Sequence, residues 1–526
     1  MVSMFIGALD QTIMSTAAPR IVADLGGFDL LSWVFTSYML ASTVVVPLVG
    51  KLSDIYGRKL FLLAGIVLFL VASAGCGAAP SMHTLIAFRA VQGVGGGIIF
   101  ASVFSAIGDM FPPSERGKYI GLFTGTFSLA SVLGPTFGGL LTDHVGWRWV
   151  FYINVPVGAV ALPAIWYNLP FHSSGRRPRI DFLGAFLLSI ATVSLLLGLA
   201  WSGEANGWSD SVTVGLLVAA VVFTGAFAVQ ELRHPEPIIP FHLFRTREFL
   251  LGNLIVFTIG IAMTGTIPYL PTFVQTAMDA SAAASGLITT PQSLGLLFTS
   301  IVGGQVLSRT GHYRWLTITG ALLMLLSVSL MLTLGPGSEK WRVSAFMVIL
   351  GLGSGLAMPT MSVVIQNAVP HQFLGVATSS RQFFMQIGGV LGAAIFGVVL
   401  TATFQAQFDA NLGAEARAVI PPATVDKFND PTLALDEATY AAVQGEVLAL
   451  PGGEAALRDA QATQKDAITT ALHRIFTIAM VIVVATVGLA LLLKEIPLRR
   501  AFGEAPASGE GQAEEPPVPA AALDTH

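Results

Sequence analysis

Three ionisable residues stand inside long apolar stretches of the chain: Asp10, Arg89 and Arg381. A charge near the centre of a bilayer costs at least about 2.5–3.5 kcal/mol on insertion scales, so each must be paired, solvated or used. A carboxyl group such as Asp10 can take up and release a proton. A guanidinium such as Arg89 stays charged, and can either tune that exchange or hold the carboxylate in a permanent ion pair. Both arrangements fit the residue types. Arg381 falls roughly a turn and a half into its apolar run, in company with Gln366, Gln382 and Gln386. It can snorkel to the interface or face a polar cavity. Gln11, Gln92, Arg381 and Gln386 are the candidate polar residues of such a cavity.

Other chemistries find no residues to carry them. Cys76 is the single cysteine, so neither an intrachain disulfide nor a cysteine metal cluster can form. The nine histidines show no metal-ligand spacing, and no nucleophile–base pair stands out. Gly93-Val-Gly95 resembles part of a nucleotide loop, but no strand precedes it. With no ATP-binding motif, no cofactor and no metal are expected, and energy must come from a gradient. Apart from Arg176-Arg177-Pro178-Arg179 there is no basic tract, and the net charge of −4 gives no reason to expect nucleic acid.

The elements that must position these residues are membrane helices. Only 11% of the 526 residues are charged, 53% are hydrophobic, and mean hydropathy is +0.72. Soluble domains carry about 25% charge, which excludes a soluble enzyme. Apolar blocks of the length needed to cross a hydrocarbon core fall near 2–22, 33–52, 60–79, 84–107, 118–142, 149–169, 180–202 and 211–230. Six more fall near 249–272, 285–308, 314–335, 343–367, 374–402 and 472–494. An all-α membrane protein with fourteen transmembrane helices is expected. The first block has no basic flank and contains Asp10, unlike a cleaved signal peptide. Only nine residues precede Asp10, about 14 Å of helix, so the native start is expected upstream of Met1 or the first span is short.

Orientation follows from the basic residues. With the N-terminus inside, sixteen of the 27 Lys and Arg fall in inner loops or the C-terminal flank, against Arg20, Arg148, Lys340 and Arg342 in short outer loops. Both termini are therefore expected inside. The polar, acidic stretch 403–471 then forms an outer loop, a candidate contact for an envelope or periplasmic partner. Residues 495–526 read as a disordered inner tail.

An internal repeat divides the chain. Gly93, Gly95 and Gly97 recur 258 positions later as Gly351, Gly353 and Gly355. The same offset carries Pro112 to Pro370, Gly117 to Gly375, Gly134 to Gly392 and Gly139 to Gly397. A weaker echo at offset 254 relates Gly50, Asp54 and Gly57 to Gly304, Ser308 and Gly311. The expected organisation is a six-helix half over 1–170, an inserted helix pair over 171–248, and a second half over 249–494. Repeated halves with substrate bound between them are a transporter architecture.

Four segments carry a family resemblance: Leu9-Asp10-Gln11-Thr12; Gly50-Lys51-Leu52-Ser53-Asp54 through Gly57-Arg58-Lys59; Arg89 through Gln92-Gly93; and Gly134-Pro135 through Gly138-Gly139, followed by Trp147 to Pro156. In this order and on these spans they resemble the major facilitator superfamily, in its fourteen-helix drug:proton antiporter branch (EmrB/QacA-like). The resemblance implies a multi-pass protein of a bacterial cytoplasmic membrane that exports lipophilic small molecules in exchange for protons. It places Asp10 and Arg89 toward a cavity as the proton-coupling pair. It makes Gly50, Asp54, Gly57, Arg58 and Lys59 an inner latch between the halves, where a bare positive-inside anchor is the alternative. It makes Gly134, Pro135, Gly138 and Gly139 an antiporter motif, although the motif's usual first glycine is Ala130 here. The second half is less equipped: Met347 stands at the position of Arg89, and Ser308 at that of Asp54. Alternatives on the same scaffold are an exporter of one endogenous metabolite, lipid or peptide, or a transporter-like sensor or assembly subunit.

Overall fold

A computed structural model describes residues 1–498 apart from 28–29, 171–179, 203–207, 265, 267–268, 279, 281, 432 and 434–436. Arg176, Arg177 and Arg179, and the tail from 499 onward, lie outside the described residues. No strand occurs among the described residues. The first group of helices is α1 (Val2–Leu25), α2 (Leu31–Tyr56), α3 (Arg58–Gly77), α4 (Met82–Met110), α5 (Pro113–His144), α6 (Trp149–Tyr152) and α7 (Asn154–Asn168). The pair α8 (Phe182–Ser202) and α9 (Ser211–Arg233) follows. Next come α10 (Arg247–Ile259), α11 (Leu270–Thr276), α12 (Ala282–Thr289), α13 (Pro291–Thr310), α14 (Arg314–Met331), α15 (Lys340–Asn367) and α16 (Leu374–Asn411). The chain continues through α17 (Ala414–Val419), α18 (Pro422–Phe428) and α19 (Glu437–Leu448) into α20 (Gly453–Leu492).

Eleven helical stretches among the described residues are long and apolar enough to cross a membrane. The three other blocks expected from the sequence behave differently. The first lies in α1, a single 24-residue helix whose strongly apolar part is Val2–Met14. The ninth is not one α-helix, because α10 passes into a π-helical turn at Gly260–Thr264. The tenth is split between α12 and α13, where Thr290 and Pro291 interrupt the run.

Without a hydrophobic drive between membrane helices, close approach through small residues holds them together. The repeated glycines provide it at matched points. Gly93 lies against the backbone of Tyr38 and Gly351 against that of Gln292, 254 positions on. Gly97 meets Ser42 and Gly355 meets Leu296, again 254 apart. The crossings between the first and second helix groups match as well. Gly50 of α2 lies on Gly375 and Ser379 of α16, while Gly304 of α13 lies on Gly117 and Gly121 of α5. Applying the two offsets turns one crossing into the other. Both lie at the end of the bundle that carries the 50–59 turn. The pair α8/α9 packs mainly on itself and touches α2 and α16 beside the first crossing.

The 403–471 stretch is folded rather than an open loop. With 38 and 40 residues, α16 and α20 run close to 60 Å, about twice a hydrocarbon core. Their outer parts and α17–α19 enclose Phe404, Phe408, Phe428, Val447 and Ala460, all buried. At the other end, the start of the tail is docked. Ile496 N–H donates to the Tyr313 hydroxyl at 2.7 Å and Asn367 to the Pro497 carbonyl at 3.4 Å.

A side chain at Gly93 would run into the Tyr38 backbone, whereas Gly139 has open space around it. Gly93→Val is therefore expected to lower the melting temperature sharply, consistent with an overpacking cost of about 1–3 kcal/mol or more. Gly139→Val is expected to leave it within a degree or two, as size-exclusion and thermal-melt measurements on the purified variants will show.

Candidate functional site

α1 delivers Asp10 from its mid-section, and α4 delivers Arg89 and Gln92, three residues apart and so on one face. The three meet. Arg89 Nη1 donates to Asp10 Oδ2 at 2.6 Å, and Gln92 Nε2 donates to Asp10 Oδ1 at 2.9 Å. Two residues that the sequence reading did not assign complete the shell. Asn154 Nδ2 of α7 donates to Asp10 Oδ1 at 3.0 Å, and Ser73 of α3 accepts from both Asn154 and Gln92. The Ser73 hydroxyl in turn donates to the Phe151 carbonyl at 2.9 Å. Arg89 also donates to the Val34 carbonyl and to Gln92 Oε1, and its guanidinium lies 4.5 Å from the Tyr38 ring centroid.

Six helices, α1–α4, α6 and α7, are thereby tied to one carboxylate. Asp10 and Arg89 are each 1% exposed. The pair lies inside the first helix group, whereas Gln11, the next residue on α1, is exposed and donates to the Tyr38 hydroxyl at 3.4 Å. Gln92, expected on a cavity wall, belongs to this buried network. Met347 is equally buried at the repeat-related position and offers no polar atom of this kind. Asn154 stood in a quoted motif, but a neutral amide in a loop-like segment carries no signal of its partner. Ser73 lies in an apolar run and carried none.

The 50–59 turn forms a second site. Gly57 adopts φ 95°, a left-handed value that lets α2 turn straight into α3. Asp54 reaches across to the start of α16. There Oδ1 accepts the Gly375 N–H at 2.8 Å and Oδ2 the Val376 N–H at 3.1 Å. These are unsatisfied donors at the positive end of the helix dipole, where a carboxylate binds well. Arg58 holds Asp54 at 2.7 Å and also pairs with Asp109 of α4. His371, in the turn before α16, lies 3.5 Å from Asp109. Lys59 is not part of this cluster: its ammonium donates to the Trp166 carbonyl at 2.6 Å. Ser308 repeats the Asp54 contact in neutral form, accepting the Lys118 N–H at 2.9 Å. Lys118 and Val376 are themselves 258 apart, so one junction is closed by a carboxylate and its image by a hydroxyl.

The Gly134–Gly139 segment packs α5 onto α1. Gly134 faces Thr12 and Gly138 faces Thr16, and Thr12 donates to the Ala130 carbonyl at 3.2 Å. Pro135 is exposed and α5 continues through it as one helix. Arg381 does not snorkel. It is 5% exposed, with its guanidinium 5.4 Å from the Phe104 ring centroid. Gln386 is half-buried, and its Oε1 has no hydrogen-bond partner. Among the described residues no group of three metal-ligating side chains occurs.

Removing one member of a buried ion pair strands the other, at a cost of about 3–5 kcal/mol, whereas removing both can be nearly neutral. Asp10→Asn is therefore expected to lower thermal stability more than the double change Asp10→Asn/Arg89→Gln, and differential scanning fluorimetry checks the order. At the junction of α2 with α16, Asp54→Ala removes the Arg58 ion pair and two charge-assisted bonds to backbone N–H groups worth about 1.5–3 kcal/mol each. Spin labels at the exposed positions Tyr56 and Gln372 are expected to show a longer, broader distance distribution in that variant.

The sequence profile of the Major Facilitator Superfamily matches residues 1–393. The multidrug transporter protein MdtP of Bacillus subtilis (strain 168) is 41% identical over 401 residues, 76% of this chain and 74% of that protein. An MFS-type transporter of Mycobacterium tuberculosis, Rv1877, is 34% identical over 511 residues, 97% of this chain and 70% of that protein. In fold, the human organic anion transporter MFSD10 matches with a TM-score of 0.56 at 13% identity, over 91% of this chain and 98% of that one. With the repeat-related crossings and the capped α16 terminus, these matches establish that the chain belongs to the major facilitator superfamily and is a multi-pass membrane transporter, not an enzyme.

Proposed function

We propose that this transporter is a proton-coupled exporter of amphipathic small molecules, with Asp10 as the proton-binding group. The single observation that carries the reading is the Asp10 carboxylate, enclosed with Arg89 at the meeting point of six helices. A proton arriving there removes the counter-charge of a guanidinium that has no access to water. The resulting strain falls on α2, which supplies Arg89 with the Val34 carbonyl and the Tyr38 ring. The same helix carries Asp54, sixteen residues and about 24 Å further on. Gly93, Gly96 and Gly97 hold α4 tightly against α2 between these points, so the two helices shift as a unit. Protonation of Asp10 and release of the Asp54 latch are thus joined through one rod, interrupted by Pro47.

In this reading α1–α7 and α10–α16 with α20 are two halves that rock about the substrate, and α8/α9 is an inserted pair. Fourteen spans then cross a bacterial cytoplasmic membrane with both ends of the chain inside. The conformation closed at Asp54 is one sealed toward the cytoplasm. The name of MdtP supports a multidrug substrate range, and the matched glycine contacts support the division into halves. A single-metabolite exporter would use the same machinery and differ only in the cavity.

The test is substrate-dependent proton movement in proteoliposomes with an imposed pH gradient. The wild-type protein is expected to move protons outward from the lumen or inward according to the direction of substrate flux. Asp10→Asn is expected to reduce this to the level of empty liposomes while still binding substrate. Gradient-driven transport that survives Asp10→Asn would remove Asp10 from the coupling role.

A further inference from the structure

The four buried arginines among the described residues differ in what they meet. Arg58 has Asp54 and Asp109, Arg89 has Asp10, and Arg116 donates to the carbonyls of Phe111 and Gly108 at 2.8 and 2.5 Å. Arg381 makes one long hydrogen bond, from Nη2 to Gln382 Oε1 at 3.4 Å. Its Nε and Nη1 have no acceptor, and no carboxylate forms an ion pair with it among the described residues. The Phe104 ring of α4 takes up part of the charge by a cation–π contact but fills neither of these donors. Neighbouring acceptors are also unused: Gln366 gives its amide to Phe104 and Thr378, and its Oε1 and the Ser380 hydroxyl have no partner.

Position gives this charge its meaning. Arg381 follows Ser379, which with Gly375 forms the close crossing onto Gly50. It therefore lies two residues past that crossing, on α16 of the second helix group and against Phe104 on α4 of the first. Asp10 is fully engaged by Arg89, Gln92 and Asn154, so it does not neutralise this second guanidinium. A planar guanidinium with two unused donors matches a carboxylate or similar planar oxyanion, which takes bidentate N–H bonds.

We propose that Arg381 is the receptor for an anionic oxygen group on the transported molecule, so that the preferred substrates are amphipathic monoanions. This inference rests on the efflux reading above and narrows its substrate class. Gln382 shares the site as a neutral neighbour, and Phe104 supports the guanidinium from the opposite group of helices. An anionic phospholipid head group has the same chemistry, and the experiment separates the two.

The full-length protein in phosphatidylcholine liposomes is titrated with 11-(dansylamino)undecanoate and with its methyl ester, which differ only in the charge. Binding is read by energy transfer from tryptophan. Arg381→Gln is expected to weaken the acid about tenfold or more while the ester changes by less than about twofold, as expected for loss of a charge-assisted contact. Arg381→Lys is expected to recover part of the loss. Gln382→Glu, which places a competing carboxylate beside the guanidinium, is expected to weaken the acid selectively even where Arg381→Gln fails to fold. Equal effects on acid and ester, or wild-type preference for the ester, would overturn the proposal. So would Arg381-dependent binding of phosphatidylglycerol without binding of the acid. Export of neutral or cationic dyes with no acid binding would sink the anion receptor alone, whereas absence of any dye export would sink the efflux reading itself.

Discussion

A charge inside a low-dielectric interior must find a partner, and this protein's architecture follows from how it meets that constraint. Arg89 has a partner sealed around it: the Asp10 carboxylate, with Gln92, Asn154 and Ser73 filling the remaining valences. Arg58 has partners that belong to a junction, since Asp54 binds the first N–H groups of α16 as well as the guanidinium. Arg381 has a ring face and one amide oxygen. The three solutions differ in what would disturb them. In the roles proposed above, a proton disturbs the first, a helix movement the second, and an anion the third.

The first two are mechanically connected. α2 supplies an acceptor and a ring to Arg89 near one end and the Asp54 carboxylate at the other. Glycines keep it in backbone contact with α4, the helix that carries Arg89 and Gln92. In the proposed mechanism, a change in the charge of Asp10 is felt at the crossing of α2 with α16. The repeat-related crossing of α5 with α13 has no such connection, because Ser308 replaces the carboxylate and Met347 the guanidinium. The two repeat-related crossings thus differ in chemistry, one closed by a carboxylate and the other by a neutral hydroxyl.

Much of this was legible in the chain itself. Apolar block length predicted most spans, because a hydrocarbon core sets one length for every crossing helix. The two glycine offsets marked an internal repeat, and the contacts of Gly93 with Tyr38 and of Gly351 with Gln292 stand at those same offsets. Asp10 and Arg89 announced themselves as charges in apolar runs. Their neutral partners did not, since Ser73 and Asn154 look like any other small polar residues. Asp109 was invisible for a different reason: it ends α4 at an interface, where an acid is unremarkable in sequence. Lys59, by contrast, followed its motif neighbours in sequence but turns to Trp166 in space. The folded 403–471 segment was read as a loop because its core is small. Phe404, Phe408 and Phe428 are spread over 25 positions among polar residues, and only long extensions of α16 and α20 bring them together. The π-helical turn at Gly260–Thr264 likewise leaves no mark in hydropathy.

The proposed exchange of a proton against substrate at the Asp10 carboxylate leaves a calorimetric signature. Titration calorimetry of substrate binding to the detergent-purified protein, repeated at one pH in buffers of different ionisation enthalpy, counts the protons released per molecule bound. Release of close to one proton by the wild-type protein and of none by Asp10→Asn is expected. Binding heats that are independent of the buffer in the wild-type protein, with substrate bound at full stoichiometry, would contradict it.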